Sequence, residues 1–405
     1  MATVRAFVAL RPPRHLVDTV AAPPYDVVDT AEAAALADGN PDSFLRVSRP
    51  EIGLEPGASA DRVHRFGREV LDDFERRGTL VRDAAPGLLV YRQQRGDATQ
   101  TGAVGAVTAA DYRAGVIAIH EHTRPDKEDD RTAHIEALGA HDEPVFLMYR
   151  PDAPGAGAVA DVLARVTARE PEYSLVRDGV RHTLWTVSDA ADAAALQDAF
   201  AQVPALYVAD GHHRTAAAAR LAASDPRPGA AEFPAVVFPS DELTILAYNR
   251  VVRDLGEHDV ESFLASLGTD FVVAPAAAAP EPARHQIGVY LDGSWWTAAA
   301  RPGVVDEADP IARLDVSVLQ DRVLAPLLGI ADPRTDARIA FVGGGRGTDE
   351  LVRLVDEGRA AVAFVLHPTA TAEVMDVADS GQVMPPKSTW FEPKLLSGLF
   401  VHPIG

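Results

Sequence analysis

No cysteine occurs among the 405 residues. That absence excludes disulfide scaffolds, thiolate zinc sites, iron–sulfur clusters and a cysteine nucleophile, and it fits a reducing compartment. Positive charge is scarce as well: 38 Lys and Arg stand against 59 Asp and Glu, a formal net charge of −21. Nucleic-acid binders need clustered Lys and Arg to displace counterions from phosphates. The average field therefore argues against a nucleic-acid partner while leaving room for a local basic pocket. Long apolar runs are also missing. No stretch approaches the ~20 apolar residues of a transmembrane helix. Between Met1 and Val20 only Ala6 to Leu10 is apolar, too short for the core of a signal peptide. These absences predict a cytoplasmic protein with no membrane partner.

What is present reads as mixed α/β. The length predicts two or three domains. Val4–Leu10, Gly87–Arg92, Ala103–Ala109, Gly115–His120 and Pro144–Tyr149 have strand character. Ala60–Arg77 carries apolar residues at helical spacing and stops at Gly78, and Asp126–Leu138 reads as a second helix. Ala153–Ala160, with Pro154, Gly155 and Gly157, predicts a loop, and the proline-bearing Ala274–Ala283 a linker. Strand and helix alternate again from Arg338 to Ala378.

The most informative stretch is Leu206–Arg220. A β-type run meets Asp210-Gly211-His212-His213-Arg214, and a strongly helical sequence follows. Strand, glycine turn and helix start make an anion site, because unpaired N–H groups and the helix dipole point to one place. Two imidazoles and a guanidinium reinforce it. Glu121, within His120-Glu121-His122-Thr123-Arg124, falls at a strand-to-helix junction, a position suited to a general base or simply to an acid favoured by the helix dipole. His120 and His122 at this spacing are weak grounds for a metal site, and none is expected. Lys387-Ser388-Thr389, after Pro385-Pro386, offer a cation and two hydroxyls for phosphate oxygens, or an ordinary polar turn. Gly343-Gly344-Gly345-Arg346-Gly347 lacks the ending of a P-loop and reads as a turn. Ala22-Pro23-Pro24-Tyr25-Asp26-Val27 reads as a rigid turn whose Tyr25 and Asp26 could line a pocket, with the plain turn favoured.

Taken in order, "APPYDVV", "NPDSFLRVSRPE", "HEHT", "DGHHR" and "MPPKSTWFEPKLLSGLF" resemble the bacterial and archaeal domain-of-unknown-function 1015 family, from about residue 4 to the C-terminus. The series Glu121, Asp-Gly-His-His-Arg, Pro-Lys-Ser-Thr is in turn similar to the free serine kinases built on the ParB/sulfiredoxin fold. That resemblance implies a nucleotide-binding core over 101–230 between an N-terminal region 1–100 and a C-terminal region 231–405 that returns the Lys-Ser-Thr motif to the site. It implies Glu121, Asp210 and His213 as catalytic residues. Gly211, His212, Arg214, Lys387, Ser388 and Thr389 become nucleotide or phosphate ligands. The implied substrates are ATP or ADP with Mg²⁺ and a small hydroxyl compound such as free serine. A non-catalytic ParB-like nucleotide switch is the alternative, and a metal-dependent hydrolase a third reading. Sulfiredoxin chemistry is excluded, since it needs a cysteine where this chain has His212.

Overall fold

Ser59 opens the helix that the sequence specifies most completely. Its side chain accepts from the Arg62 N–H, the helix runs Ala60–Arg77, and Gly78 ends it at φ 74°. His64, Gly67, Leu71 and Phe74 form its buried stripe. The expected second helix is present as Pro125–Leu138, with proline at its first position and Gly139 at its end.

The computed structural model describes all 405 residues, which divide into two units: Met1–Leu243 with Pro393–Gly405, and Thr244–Glu392. The first unit is built on an eight-stranded mixed sheet. Its strands run in the order Ile117–Ala118, Leu206–Asp210, Val145–Tyr149, Glu232–Pro239, Ala98–Thr108, Leu89–Arg95, Val180–Thr186 and Tyr173–Arg177. Leu206–Asp210 is parallel to Ile117–Ala118 and antiparallel to Val145–Tyr149, so the site strand lies next to the sheet edge. Helices Ala156–Thr167 and Ala190–Phe200 supply Val159, Val162, Leu196 and Phe200 to the apolar core, where Leu147, Leu206, Val208 and Val237 meet them. The second unit is a six-stranded sheet, antiparallel throughout, with Tyr248–Val252 between Ile339–Gly343 and Val362–Val365. Asp292 and Gly293, both at positive φ, make the tight turn of its hairpin.

Several local expectations change. Val4–Leu10 is not a continuous strand; Arg5 and Phe7 make isolated bridges to Ala106 and Gly87, and only Leu10–Arg11 pairs regularly, with Val81–Arg82. The loop expected to Ala160 ends early, because Gly155 at φ 84° starts the helix at Ala156. The expected linker begins inside the edge strand Phe271–Ala276, where Pro275 lies opposite Trp296 and needs no outer partner. A segment break at 100 falls inside the hairpin that pairs Gln93 with Gln100. Residues 232–239 extend the same sheet, so the first unit reaches past 230. No helix is long and apolar enough to cross a membrane.

Candidate active site in the first unit

The site begins with an irregular strand. Val208 pairs with Leu147, but Asp210 rather than Ala209 pairs with Phe146, so one extra residue is accommodated at Ala209. In an unbroken strand Asp210 would share the face of Leu206 and Val208, which are fully buried in the apolar core. The bulge releases the carboxylate from that face.

Gly211 then adopts φ 97° and starts the 13-residue helix His212–Ser224 with no side-chain cap. The first-turn amides thus have no side-chain acceptor from the cap residue, an arrangement chemically suited to an anion. A Cβ at Gly211 would lie 3.1 Å from Arg214 Cζ, besides the strain of its left-handed backbone. Gly211→Ala is expected to cost about 1–3 kcal/mol, read as a lowered urea midpoint; an unchanged midpoint would contradict this account.

Arg214 is buried and its guanidinium is fully occupied at one end. Nη2 donates to Asp210 Oδ2 at 2.8 Å and to Asp26 Oδ2 at 3.4 Å, and Nη1 donates to the Pro144 carbonyl. Lys394 Nζ donates to the other Asp210 oxygen at 3.3 Å. Burial by itself would raise the Asp210 carboxyl, but Lys394 and Arg214 outweigh it and hold the group well below the usual carboxylate range. Asp210 is a fixed anion between two cations.

The histidines divide by burial. His120 and His212 are buried edge to face with ring centroids 4.4 Å apart. Burial lowers His120 to about 4, against a hydrogen bond to the Val208 backbone, and burial then His120 push His212 far below its ordinary value. Both are neutral packing rings at neutral pH. His213 is half-buried and also lowered by burial, and its Nε2 accepts from the Arg124 N–H at 3.1 Å. A neutral ring accepting at Nε2 carries its proton on Nδ1, where it donates.

Glu121 is exposed between the strand Ile117–Ala118 and the helix Pro125–Leu138, at the expected junction. Both flanks of its loop are pinned to the start of the site helix, His120 against His212 and Arg124 against His213. No group of three or more His, Asp or Glu is placed to hold a metal, and His120 is committed to its contact with His212.

Behind Arg214 lies a second charged layer. Arg131 stacks on the Tyr25 ring at 4.0 Å and its Nη1 is 3.9 Å from Asp142, which bonds His134 at 3.1 Å. Ser397 donates to Glu143 Oε2 at 2.6 Å. Burial and then Asp142 push the Glu143 carboxyl up to about 8.

The structure thus gathers Glu121's loop, Asp210, Gly211, His212, His213 and Arg214 in one place. Lys387, Ser388 and Thr389 belong to the second unit. Ser388 is buried there, its hydroxyl donating to the Pro385 carbonyl at 2.6 Å, so it closes its own turn. Lys387 is exposed at φ 57°, its Nζ 5.5 Å from the Tyr248 ring centre. Three contributors were not singled out from sequence: Arg131, Glu143 and Lys394. The Pro-Pro-Tyr-Asp turn is part of the site and no bland connection.

Buried neutral histidines set an acid limit to stability. Burial depresses His120 to about 4 and His141 and His182 to about 3, below the ordinary 6.5. Between those values the unfolded chain binds the extra protons, so stability is full above 6.5 and is lost as pH falls toward 4. The expected slope is about 1.4 kcal/mol per pH unit for each histidine. Glu143, raised from 4.5 to about 8, works in the opposite sense, one group against seven lowered histidines. Melting temperature should fall from pH 6.5 to pH 4; a flat profile there would refute it.

The chain belongs to the family described as protein of unknown function (DUF1015), whose model matches residues 4–317. The match does not extend to the C-terminus, so the Lys387 motif lies outside it. No curated protein matches. Among solved structures, a free serine kinase in complex with AMP aligns at 13% identity over 71% of this chain and 86% of that one, with a TM-score of 0.36. A conserved hypothetical protein from Pyrococcus furiosus aligns at 14% identity, covering 71% and 90%, TM-score 0.34. SbnI from Staphylococcus aureus, with a C-terminal truncation, aligns at 13% identity, covering 74% and 87%, TM-score 0.39.

Proposed function

We propose that the first unit is a nucleotide-dependent phosphotransferase acting on the hydroxyl of a small molecule, free serine or a related compound. The observation that carries this reading is the double pinning of the Glu121 loop. It holds the loop that carries the exposed Glu121 against an uncapped helix N-terminus. Phosphate oxygens of ATP or ADP would lie on the first-turn amides of the site helix, with the His213 Nδ1–H donating to them. Glu121 would take the proton of the attacking hydroxyl, and the positive groups would neutralise charge on the transferring phosphoryl. Asp210 touches no phosphate in this scheme; it holds Arg214 and Lys394 in place. Both its oxygens already accept from cations, so Mg²⁺ would arrive on the nucleotide.

The test is to incubate the protein with Mg²⁺, ATP or ADP and free hydroxyl amino acids, and to follow products by phosphorus NMR. A phosphomonoester signal that depends on protein supports the reading. Nucleotide protection in a melt without any product would favour a nucleotide-binding switch. Lys394→Met tests the positioning of Asp210: loss of a charge-assisted bond should lower kcat/KM about 10–100-fold and raise the acid limb of the pH–rate profile. A lowered rate with an unmoved acid limb would deny Lys394 that role.

A further inference from the structure

From Pro393 to Leu396 the chain lies in no strand, and backbone pairing resumes at Ser397, which exchanges bonds with Ala22. Two side chains of the strand Leu89–Arg95 reach this stretch. Gln93 Nε2 donates to the Lys394 carbonyl at 2.7 Å, and the Tyr91 hydroxyl oxygen accepts from the Leu396 N–H at 3.4 Å. Residues 91 and 93 share one face of their strand, and both are at most 1% exposed. Gln93 is braced in turn. Gln100, opposite it in the hairpin and also buried, donates Nε2 to Gln93 Oε1 at 2.7 Å.

We propose that Gln93, braced by Gln100, is a positioning residue for the candidate active site: it fixes the main chain of Lys394 so that the lysine side chain reaches Asp210.

The direction of the two amides follows from what each partner can do. The Lys394 carbonyl can only accept, so Gln93 must present its NH₂ there, which leaves Oε1 to accept from Gln100. Two amides inside a sheet are costly unless bonded, and these bonds lead to the residue whose ammonium lies 3.3 Å from Asp210. That ammonium sits on a flexible four-carbon stem, so holding its main chain narrows the positions the charge can take. Leu395 and Leu396 are buried and anchor the segment by packing, but packing alone would leave the Lys394 carbonyl unserved. The role rests on the phosphotransferase reading, in which Asp210, charged between Lys394 and Arg214, orders the site.

Gln93→Met keeps the volume and removes the donor. In its crystal structure the separation of Lys394 Nζ from Asp210 should exceed about 4 Å, the limit of an ion pair. A bond kept at its present length overturns the proposal. In the phosphotransfer assay kcat/KM should fall about 3–30-fold, with the acid limb of the pH–rate profile raised as in Lys394→Met. Combined with Lys394→Met, the loss should stay within about twofold of that of Lys394→Met alone. Fully additive losses, or a lowered rate with an unmoved acid limb, mean a merely structural role and also overturn it. Gln93→Asn, one methylene too short to reach Lys394 while holding Gln100, carries the same expectations should Gln93→Met not fold. If the parent protein transfers no phosphoryl group, the phosphotransferase reading falls by itself, and the separation in the crystal alone decides whether Gln93 places Lys394.

Discussion

Arg214→Leu is expected to cost about 3–5 kcal/mol of folding free energy. The side chain is 5% exposed and joins four parts of the chain. It bonds Asp210 at the end of the site strand, Asp26 in the Pro-Pro-Tyr-Asp turn and the carbonyl of Pro144, and it sits one turn into the site helix. Leucine fills much of the volume but takes one donor from Asp210, which keeps Lys394, and removes the Arg214 donor from Asp26 and from the buried Pro144 carbonyl. Lysine keeps the charge but not the fork, so it cannot serve Asp210, Asp26 and Pro144 together, and Arg214→Lys should recover only a minor part. Chemical denaturation of both variants checks this. A loss below about 1 kcal/mol for Arg214→Leu, the level of a surface pair, would mean that the carboxylates find other partners.

Glu121→Gln has the largest expected effect on activity, a fall in kcat of about 10²–10⁴-fold, with nucleotide affinity unchanged. Glutamine matches the shape of glutamate and removes the negative charge and with it the ability to take a proton. The side chain is exposed, and its loop is held through His120 and Arg124, not through the carboxylate's own burial. Calorimetric titration with ADP beside single-turnover measurements separates the outcomes. Lost affinity with preserved turnover would make Glu121 a binding residue and leave the base unidentified.

Much of this site was legible in local sequence, because its central device is local. A β-type run, a glycine and a helix start within ten residues fix Asp210, Gly211, His212, His213 and Arg214 relative to one another whatever the rest of the chain does. The junction position of Glu121 was legible for the same reason. The pairings of Asp26 and Lys394 were not, since these residues lie 188 and 184 residues from their partners, Arg214 and Asp210. Only the tertiary fold brings such pairs together, and the strings around them, Pro-Pro-Tyr-Asp and Glu-Pro-Lys, look like turns. His212 shows the converse. Its place in the motif suggests a ligand, whereas its burial against His120 makes it packing. The bulge at Ala209 has no sequence signal of its own, because nothing in Tyr-Val-Ala-Asp announces an extra residue. The helices Ala60–Arg77 and Pro125–Leu138 were readable almost to the residue, since caps and glycine stops are local chemistry.

The division of the chain carries a consequence for biogenesis. The first unit is completed by Pro393–Gly405, which are translated only after the 149 residues of Thr244–Glu392. That late segment supplies Lys394 to Asp210, Ser397 to Glu143, and Val401 and Ile404 to two apolar clusters. On the ribosome, then, Asp210 waits for its lysine while an entire second unit emerges. The nascent first unit is an unfinished protein that a chaperone would meet with its charged centre half paired. The chain thereby makes its candidate active site one of the last parts of the molecule to be assembled, and ties its completion to prior synthesis of the second unit.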